Sequence, residues 1–454
     1  PTELPLKCKL SSNRAASRMR EYHLKPTRWA SASDTAGINA ARRHVAKGAG
    51  MSNLDEKFAG LGADNAPGQE VRQNADALNS VMRGEIIPGR PVDFSHGDVD
   101  AFRPTPAARE AWEQGYETGG AQAYTEYRGA AAIRADVAKS LAAFTKAPVD
   151  HLDELIITPG TQGALFLALG AVGDQGTKVA IVEPDYFANR KLVRFFGGEI
   201  MPIQLRYHAT AEQNGPDLDA LEAAFQAGAE VLVFSTPNNP TGHVYSEAAI
   251  TRIAELSAKH DVVVIVDQLY SRLLYCNQRY THLRACAVRP EHLVTIMGPS
   301  KTESLSGFRL GVAFGSAKLI ERMEKLQAIV SLRAAGYSQA ALATWFHEPE
   351  GWMDERIAQH EAIRDDLLKI FRDAGFPTAT SQAGSYVFPE LPELVVSPEV
   401  FVRLLRVQAN VTVTPGSEFS PHTASSIRLN FSQDHEASVA ATHRIVAMVE
   451  RYRA

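Results

Sequence analysis

From Glu154 to Phe314 the chain repeats one pattern: a short apolar run, a break, then a longer stretch with apolar positions every three or four residues. The short runs, residues 155–158, 178–182, 231–235, 262–267, 293–297 and 309–314, are predicted strands. Residues 164–171, 187–196, 248–260 and 318–330 are the helices predicted between them. Strands that are apolar throughout, instead of alternating, need cover on both faces. The pattern therefore predicts an α/β fold, a mostly parallel sheet sandwiched by helices. Ligands of such sheets bind at the carboxyl ends of the strands, so the residues just after each strand are the candidates for chemistry.

The flanks read differently. Residues 53–85 are polar and broken by glycine, which predicts loop and one short helix. A short strand and tight turn are expected over residues 91–98, and a helix near Pro104 with Pro106 in its first turn. Gly119-Gly120 interrupts the chain before a helix whose Ile133, Val137, Leu141 and Phe144 share one face. Beyond residue 341 come a long helix (354–374), strands around 384–388, 411–416 and 427–431, and a closing helix. This tail reads as a smaller α+β domain completed by the segment before Gly120. The expected division is an extension (1–50), the N-terminal part of the small domain (51–120), a large domain (121–340) and the C-terminal part of the small domain (341–454).

Composition narrows the function. A chain of 454 residues, 45% hydrophobic, buries a sizeable core and suits two domains. Its net charge of −5 favours neither nucleic acid nor membrane, and no apolar run approaches the roughly 20 residues of a membrane span. Cys8, Cys276 and Cys286 form no C-x-x-C pair and predict reduced thiols in a cytoplasmic setting, with no metal site. Residues 1–50 carry ten Lys/Arg against three Asp/Glu without apolar periodicity, the composition of a disordered basic arm or an organelle transit segment.

At the strand ends stand Pro159-Gly160-Thr161-Gln162-Gly163, opening a helix whose free N–H groups suit a phosphate, and Glu183-Pro184-Asp185-Tyr186, which presents an aromatic ring. Then follow Asn238-Asn239-Pro240-Thr241-Gly242, Asp267 with Tyr270 one turn on, and Gly298-Pro299-Ser300-Lys301 with Arg309 eight residues later. Taken singly, each has an ordinary reading: a glycine turn, a packing aromatic, a helix cap, a surface lysine. A carboxylate closing an apolar strand, however, is costly to bury without a cation or strong donor. A lysine in a cleft and an arginine between glycines suit a cofactor with an aldehyde and a phosphate.

In this order and spacing, Asn239-Pro-Thr-Gly, Asp267-x-x-Tyr270, Ser300-Lys301-x₇-Arg309-x-Gly311 and Arg428-Leu-Asn-Phe closely resemble the class I/II aminotransferases, fold-type I enzymes that use pyridoxal phosphate. The resemblance runs from about Val92 to the C-terminus and implies that the mostly parallel sheet has seven strands. It implies that Lys301 holds the coenzyme aldehyde as a Schiff base and shuttles a proton, which requires a neutral amine. It implies that Asp267 pairs with the pyridinium nitrogen, and that Tyr270 and Asn239 bond the ring's phenolic oxygen. Arg309, Ser300 and the backbone at Gly160, Thr161 and Gln162 hold the phosphate, Tyr186 stacks on the ring, and Arg428 grips the substrate α-carboxylate near Gly97. Tyr124 matches a tyrosine that reaches the phosphate of a neighbouring subunit, which implies a homodimer with shared sites. Arg333 lies about where aspartate-specific relatives carry a side-chain-binding arginine; a surface or interface ion pair is its plainer reading. The implied substrates are an L-amino acid and a 2-oxo acid, aspartate or another dicarboxylate among them.

Two positions depart from the resemblance: Gly298 stands where relatives often carry Ser or Thr, and Gln268 where many carry Glu. A Walker nucleotide loop is excluded, because Ile296 occupies the place of its first glycine. The shared motifs leave open a β-lyase, a decarboxylase or an amino-acid oxidase. A remote alternative is a pyridoxal phosphate-sensing transcription regulator, for which residues 1–50 are too short to form a winged helix.

Overall fold

The computed structural model describes residues 49–62, 76–97, 101–208 and 214–454. Two compact units are distinguished, Pro1–Glu56 and Lys57–Ala454. The first is described only where the helix Ala49–Ala59 begins. The expected basic arm, up to residue 48, lies outside the described residues, as does Asp98 of the predicted turn.

The described strands of the second unit are β1 (Val92–Asp93), β2 (Leu155–Pro159), β3 (Lys178–Glu183), β4 (Glu199–Arg206), β5 (Gly215–Pro216), β6 (Val231–Ser235), β7 (Val263–Asp267), β8 (Leu293–Met297), β9 (Leu310–Gly315), β10 (Tyr386–Val387), β11 (Val411–Thr412), β12 (Thr414–Pro415) and β13 (Ile427–Asn430). The main sheet has the order β2-β9-β8-β7-β6-β3-β4-β5. It holds eight strands instead of seven, because the two-residue β5 adds to its edge. The pairs β4–β3, β3–β6, β6–β7 and β7–β8 are parallel, while β9 runs antiparallel to both β2 and β8.

Alternate residues of each strand feed separate cores, which is why the strands are apolar throughout. Val182, Leu232, Phe234, Val264 and Val266 pack under the helices Leu218–Gln226 and Glu247–Lys259. Ile181, Val231, Val233, Ile265 and Ile296 face the helices Gly160–Val172 and Ala317–Val330. Asp217 and Ser246 cap the first pair by accepting the N–H of Ala220 and Ala249.

A further core joins both ends of the chain. Val92, Phe94 and Phe102 pack with side chains of the helices Trp352–Asp373, Pro398–Ala409 and His435–Tyr452. The backbone makes the same link, since β1 pairs in parallel with β11. Asn410 ends the helix Pro398–Ala409 in the left-handed region and turns the chain directly into β11.

Candidate active site

The carboxyl ends of β6 and β7 meet at one rung, where Ser235 lies opposite Asp267. Around them opens a cavity of about 260 Å³ lined by Thr161, Gln162, Tyr186, Asn239, Asp267, Tyr270, Lys301, Tyr386 and Arg428, among others. Asp267 accepts the N–H of Leu269 at 2.9 Å, and burial pushes its carboxyl up to about 6. A carboxylate so desolvated gains most from a cationic partner in the cavity. Tyr270 shares a hydrogen bond between its hydroxyl and that of Tyr386, and burial first, then Tyr386, holds it well above the usual phenol range.

Arg428, on β13, is 3% exposed. Its Nη1 donates to Asn239 Oδ1 at 3.0 Å, and its Nη2 donates to the Ser95 carbonyl at 2.9 Å and Thr414 Oγ1 at 3.2 Å. Its Nε is buried and without a hydrogen-bond partner among the described residues. Buried N–H groups are normally paired, so this fork presents a donor suited to a carboxylate.

Gly160 and Arg309 form a cradle beside Thr161 and Gln162 of the cavity lining. Gly160 opens the helix Gly160–Val172 at φ +77°, and a Cβ there would run into the Arg309 guanidinium. Arg309 itself sits in the left-handed region (φ 55°, ψ 51°), a conformation costing a non-glycine residue on the order of 1–3 kcal/mol. Gly311 brings β9 so close that a Cβ would collide with the backbone of Gly160 and Thr161. Gly298 is explained by the same crowding: a Cβ would lie 3.0 Å from Thr161 Cγ2, so the threonine methyl occupies that space. Tyr186 donates its hydroxyl to Gln162 Oε1 at 2.9 Å, tying the aromatic ring to the cradle. Gln268 is fully buried and pairs through Oε1 with His282 Nδ1 at 2.9 Å.

Other candidates lie elsewhere. Ser300 donates to the Leu310 carbonyl at 3.0 Å and, with Gly97, lines a small side chamber that shares Lys301 and Tyr270 with the main cavity. Tyr124 and Arg333 are not among the lining residues. The Arg333 guanidinium sits 4.9 Å from the Tyr124 ring centroid, with Nη1 donating to the Thr125 carbonyl at 2.8 Å. Sequence reasoning missed Tyr386, Ser235, Ser95 and Asp185. Each belongs to a segment that had been read, but serine, aspartate and tyrosine at strand ends have common packing and capping uses.

Behind the lysine lies a buried charge cluster. Arg272 binds Glu348 through two bonds of 2.8 and 2.9 Å and also pairs with Glu303. Arg356 donates to the Thr302 carbonyl at 3.1 Å and Ser304 Oγ at 2.7 Å. The three residues after Lys301 are thus held from two sides.

A family profile described as aminotransferase class I and II matches residues 90–445. The chain belongs to the class I and II aminotransferases. A crystal structure of an aspartate aminotransferase from Rhodobacter sphaeroides 2.4.1 is 62% identical, with a TM-score of 0.85 over 88% of this chain and 100% of that one. The aspartate/prephenate aminotransferase of Thermus thermophilus is 27% identical over 85% of this chain and 97% of its own length. The aspartate aminotransferase of Pyrococcus abyssi is 25% identical over 69% of this chain and 80% of its own. This aminotransferase has no helix among its described residues long and apolar enough to cross a membrane.

Proposed function

We propose that this aminotransferase uses pyridoxal 5′-phosphate, anchored on Lys301, to move the amino group of an L-amino acid to a 2-oxo acid, with dicarboxylates such as aspartate preferred. The observation that carries the reading is one cavity shared by Lys301, Asp267, Asn239 and Arg428. The residues fit the group: Asp267 is a desolvated acceptor suited to a cationic ring nitrogen, and Gly160, Thr161 and Arg309 form a cradle suited to a phosphate. Bound there, the coenzyme supplies a carbonyl for the amino group and a ring that withdraws electrons from the substrate Cα.

The side chains then divide the work. Arg428 holds the α-carboxylate by its guanidinium fork. Lys301 Nζ would take the proton from Cα of the donor amino acid in one half-reaction and deliver one to Cα of the new amino acid in the other, and Asp267 would keep its partner nitrogen protonated. Tyr270 and Asn239 offer hydrogen bonds at the phenolic oxygen.

The preference for dicarboxylates rests on Arg333 and on the resemblance to an aspartate aminotransferase at 62% identity. Arg333 and Tyr124 lie together among exposed apolar side chains, Tyr116 (60%), Tyr124 (78%), Ile329 (81%) and Leu332 (52%). An apolar surface of this kind suits a subunit interface, and we assign it to a homodimer in which both residues reach the partner's cavity. We retain the division at residues 120 and 340 as the domain organisation of the enzyme.

The decisive test mixes purified protein, pyridoxal phosphate and single amino acids without a 2-oxo acid. Conversion of the coenzyme to its amine form, with one 2-oxo acid released per site, is expected and fastest with aspartate. Continuous release of ammonia, carbon dioxide or peroxide would replace transamination by the related lyase, decarboxylase or oxidase chemistry.

A further inference from the structure

Asp185 is 1% exposed and forms no salt bridge with a described residue, yet it is a carboxylate beside the coenzyme cavity. Its oxygens accept the Ser235 N–H at 2.7 Å, the Ser235 hydroxyl, and the Tyr186 N–H at 2.6 Å. Because the Ser235 hydroxyl spends its proton on Asp185, its oxygen is left to accept. It does so from the Asn239 N–H at 3.1 Å and Asn238 Nδ2 at 3.4 Å. Asn239 in turn gives its Oδ1 to Arg428. That bond leaves the amide nitrogen as the free edge of Asn239, a residue that lines the cavity.

We propose that Asp185 and Ser235 are positioning residues that orient Asn239, so that its oxygen holds Arg428 for the substrate carboxylate while its amide nitrogen serves the coenzyme. The proposal rests on the pyridoxal phosphate reading above. Asp185 also fixes the backbone of Tyr186, so one buried carboxylate sets two walls of the cavity. Burial pushes its carboxyl up to about 7, and the three donors from Ser235 and Tyr186 act against that rise. An asparagine carries a nitrogen in place of one oxygen, which sets an N–H against that of Ser235 in one amide orientation or that of Tyr186 in the other.

The test compares wild-type enzyme with Ser235→Ala, Ser235→Thr and Asp185→Asn, each loaded with pyridoxal phosphate. Ser235→Ala and Asp185→Asn are expected to raise the KM for the amino acid about tenfold, the scale of one buried hydrogen bond, with a smaller change in kcat. Both should alter the visible circular dichroism of the bound coenzyme, which reports ring orientation. Ser235→Thr, which keeps the hydroxyl, should regain most of the loss in both readouts. Unchanged KM and dichroism in folded variants would overturn the proposal, as would a fall in kcat alone with wild-type dichroism. If Ser235→Ala does not fold, Asp185→Asn, matched in size, decides the question by the same readouts. A wild-type protein that binds no pyridoxal phosphate would instead remove the reading on which the proposal stands.

Discussion

Replacing Arg272 with methionine should unsettle the enzyme more than any other single change near Lys301 that leaves the cavity lining intact. The guanidinium is 12% exposed and lies between Glu303 (5%) and Glu348 (6%). It also stacks 4.3 Å from the Phe346 ring. Removing one partner from a buried ion pair leaves uncompensated charge and costs about 3–5 kcal/mol. That is a large share of a typical total stability of about 5–15 kcal/mol. The expected fall in Tm, followed by far-UV circular dichroism at pH 8, is about 4–6 °C for an unfolding entropy of about 2.1 cal/mol/K per residue. The loss should depend on pH in a defined direction. Burial already pushes the Glu303 carboxyl up to about 7 with Arg272 in place, where Arg272 acts to lower it. Without Arg272 it rises further. A carboxyl whose folded pKa exceeds its unfolded value costs stability above the unfolded value, and the cost fades as pH falls back toward that value. The deficit of Arg272→Met should therefore be greatest at pH 8 and shrink toward pH 5. Adding Glu303→Gln and Glu348→Gln to the same protein should restore most of the stability, because neutral replacement of a whole buried cluster is often tolerated. A variant that melts with wild type at pH 8, or whose deficit grows on acidification, would refute the reasoning.

Other changes probe the cavity itself. Gly311→Ala forces a Cβ into the backbone of Gly160 and Thr161, a strain of about 1–3 kcal/mol that should weaken coenzyme binding at least about tenfold by absorbance titration. Arg428→Lys keeps the charge but loses the fork, and should raise the KM for every amino acid by roughly a hundredfold, the effect of about 2–3 kcal/mol in charged hydrogen bonds. Arg333→Ala should lower the ratio of kcat/KM for aspartate over a neutral amino acid by at least about tenfold. An unchanged ratio would dismiss its role in substrate choice.

Much of the sheet was legible because β2, β3 and β6 to β9 bury both faces and so leave uninterrupted apolar runs in the sequence. β4 was not. It carries Pro202, alternates buried with exposed residues, and lies near the edge of the sheet, so neither proline nor polarity is penalised there. The helix Leu218–Gln226 beside it is not legible either, because at nine residues it offers few periods of its apolar pattern. The chemistry-bearing motifs stood out because lysine, arginine and aspartate are conspicuous after apolar strands. The Asp185–Ser235–Asn239 chain was invisible for the opposite reason. Its members are 50 and 4 residues apart, and only the parallel stacking of β3, β6 and β7 brings them into contact.

The placement of β9 has a consequence for how the enzyme assembles. It is inserted antiparallel between β2 and β8, with Pro159 opposite Leu310 across a separation of about 150 residues. Contacts this distant in sequence close slowly, since the loop entropy must be overcome before the contacts repay it. The two halves of the cradle proposed for the phosphate, the Gly160 helix end and Arg309, flank that same rung. Capture of coenzyme by a refolding chain should therefore lag behind formation of the β3–β6–β7 centre. Once the rung is closed, a ligand that binds only the finished cradle stabilises it by mass action. Under the pyridoxal phosphate reading, a chain that has not closed this pair has a helix end without its arginine and should gain coenzyme affinity only when the pair closes.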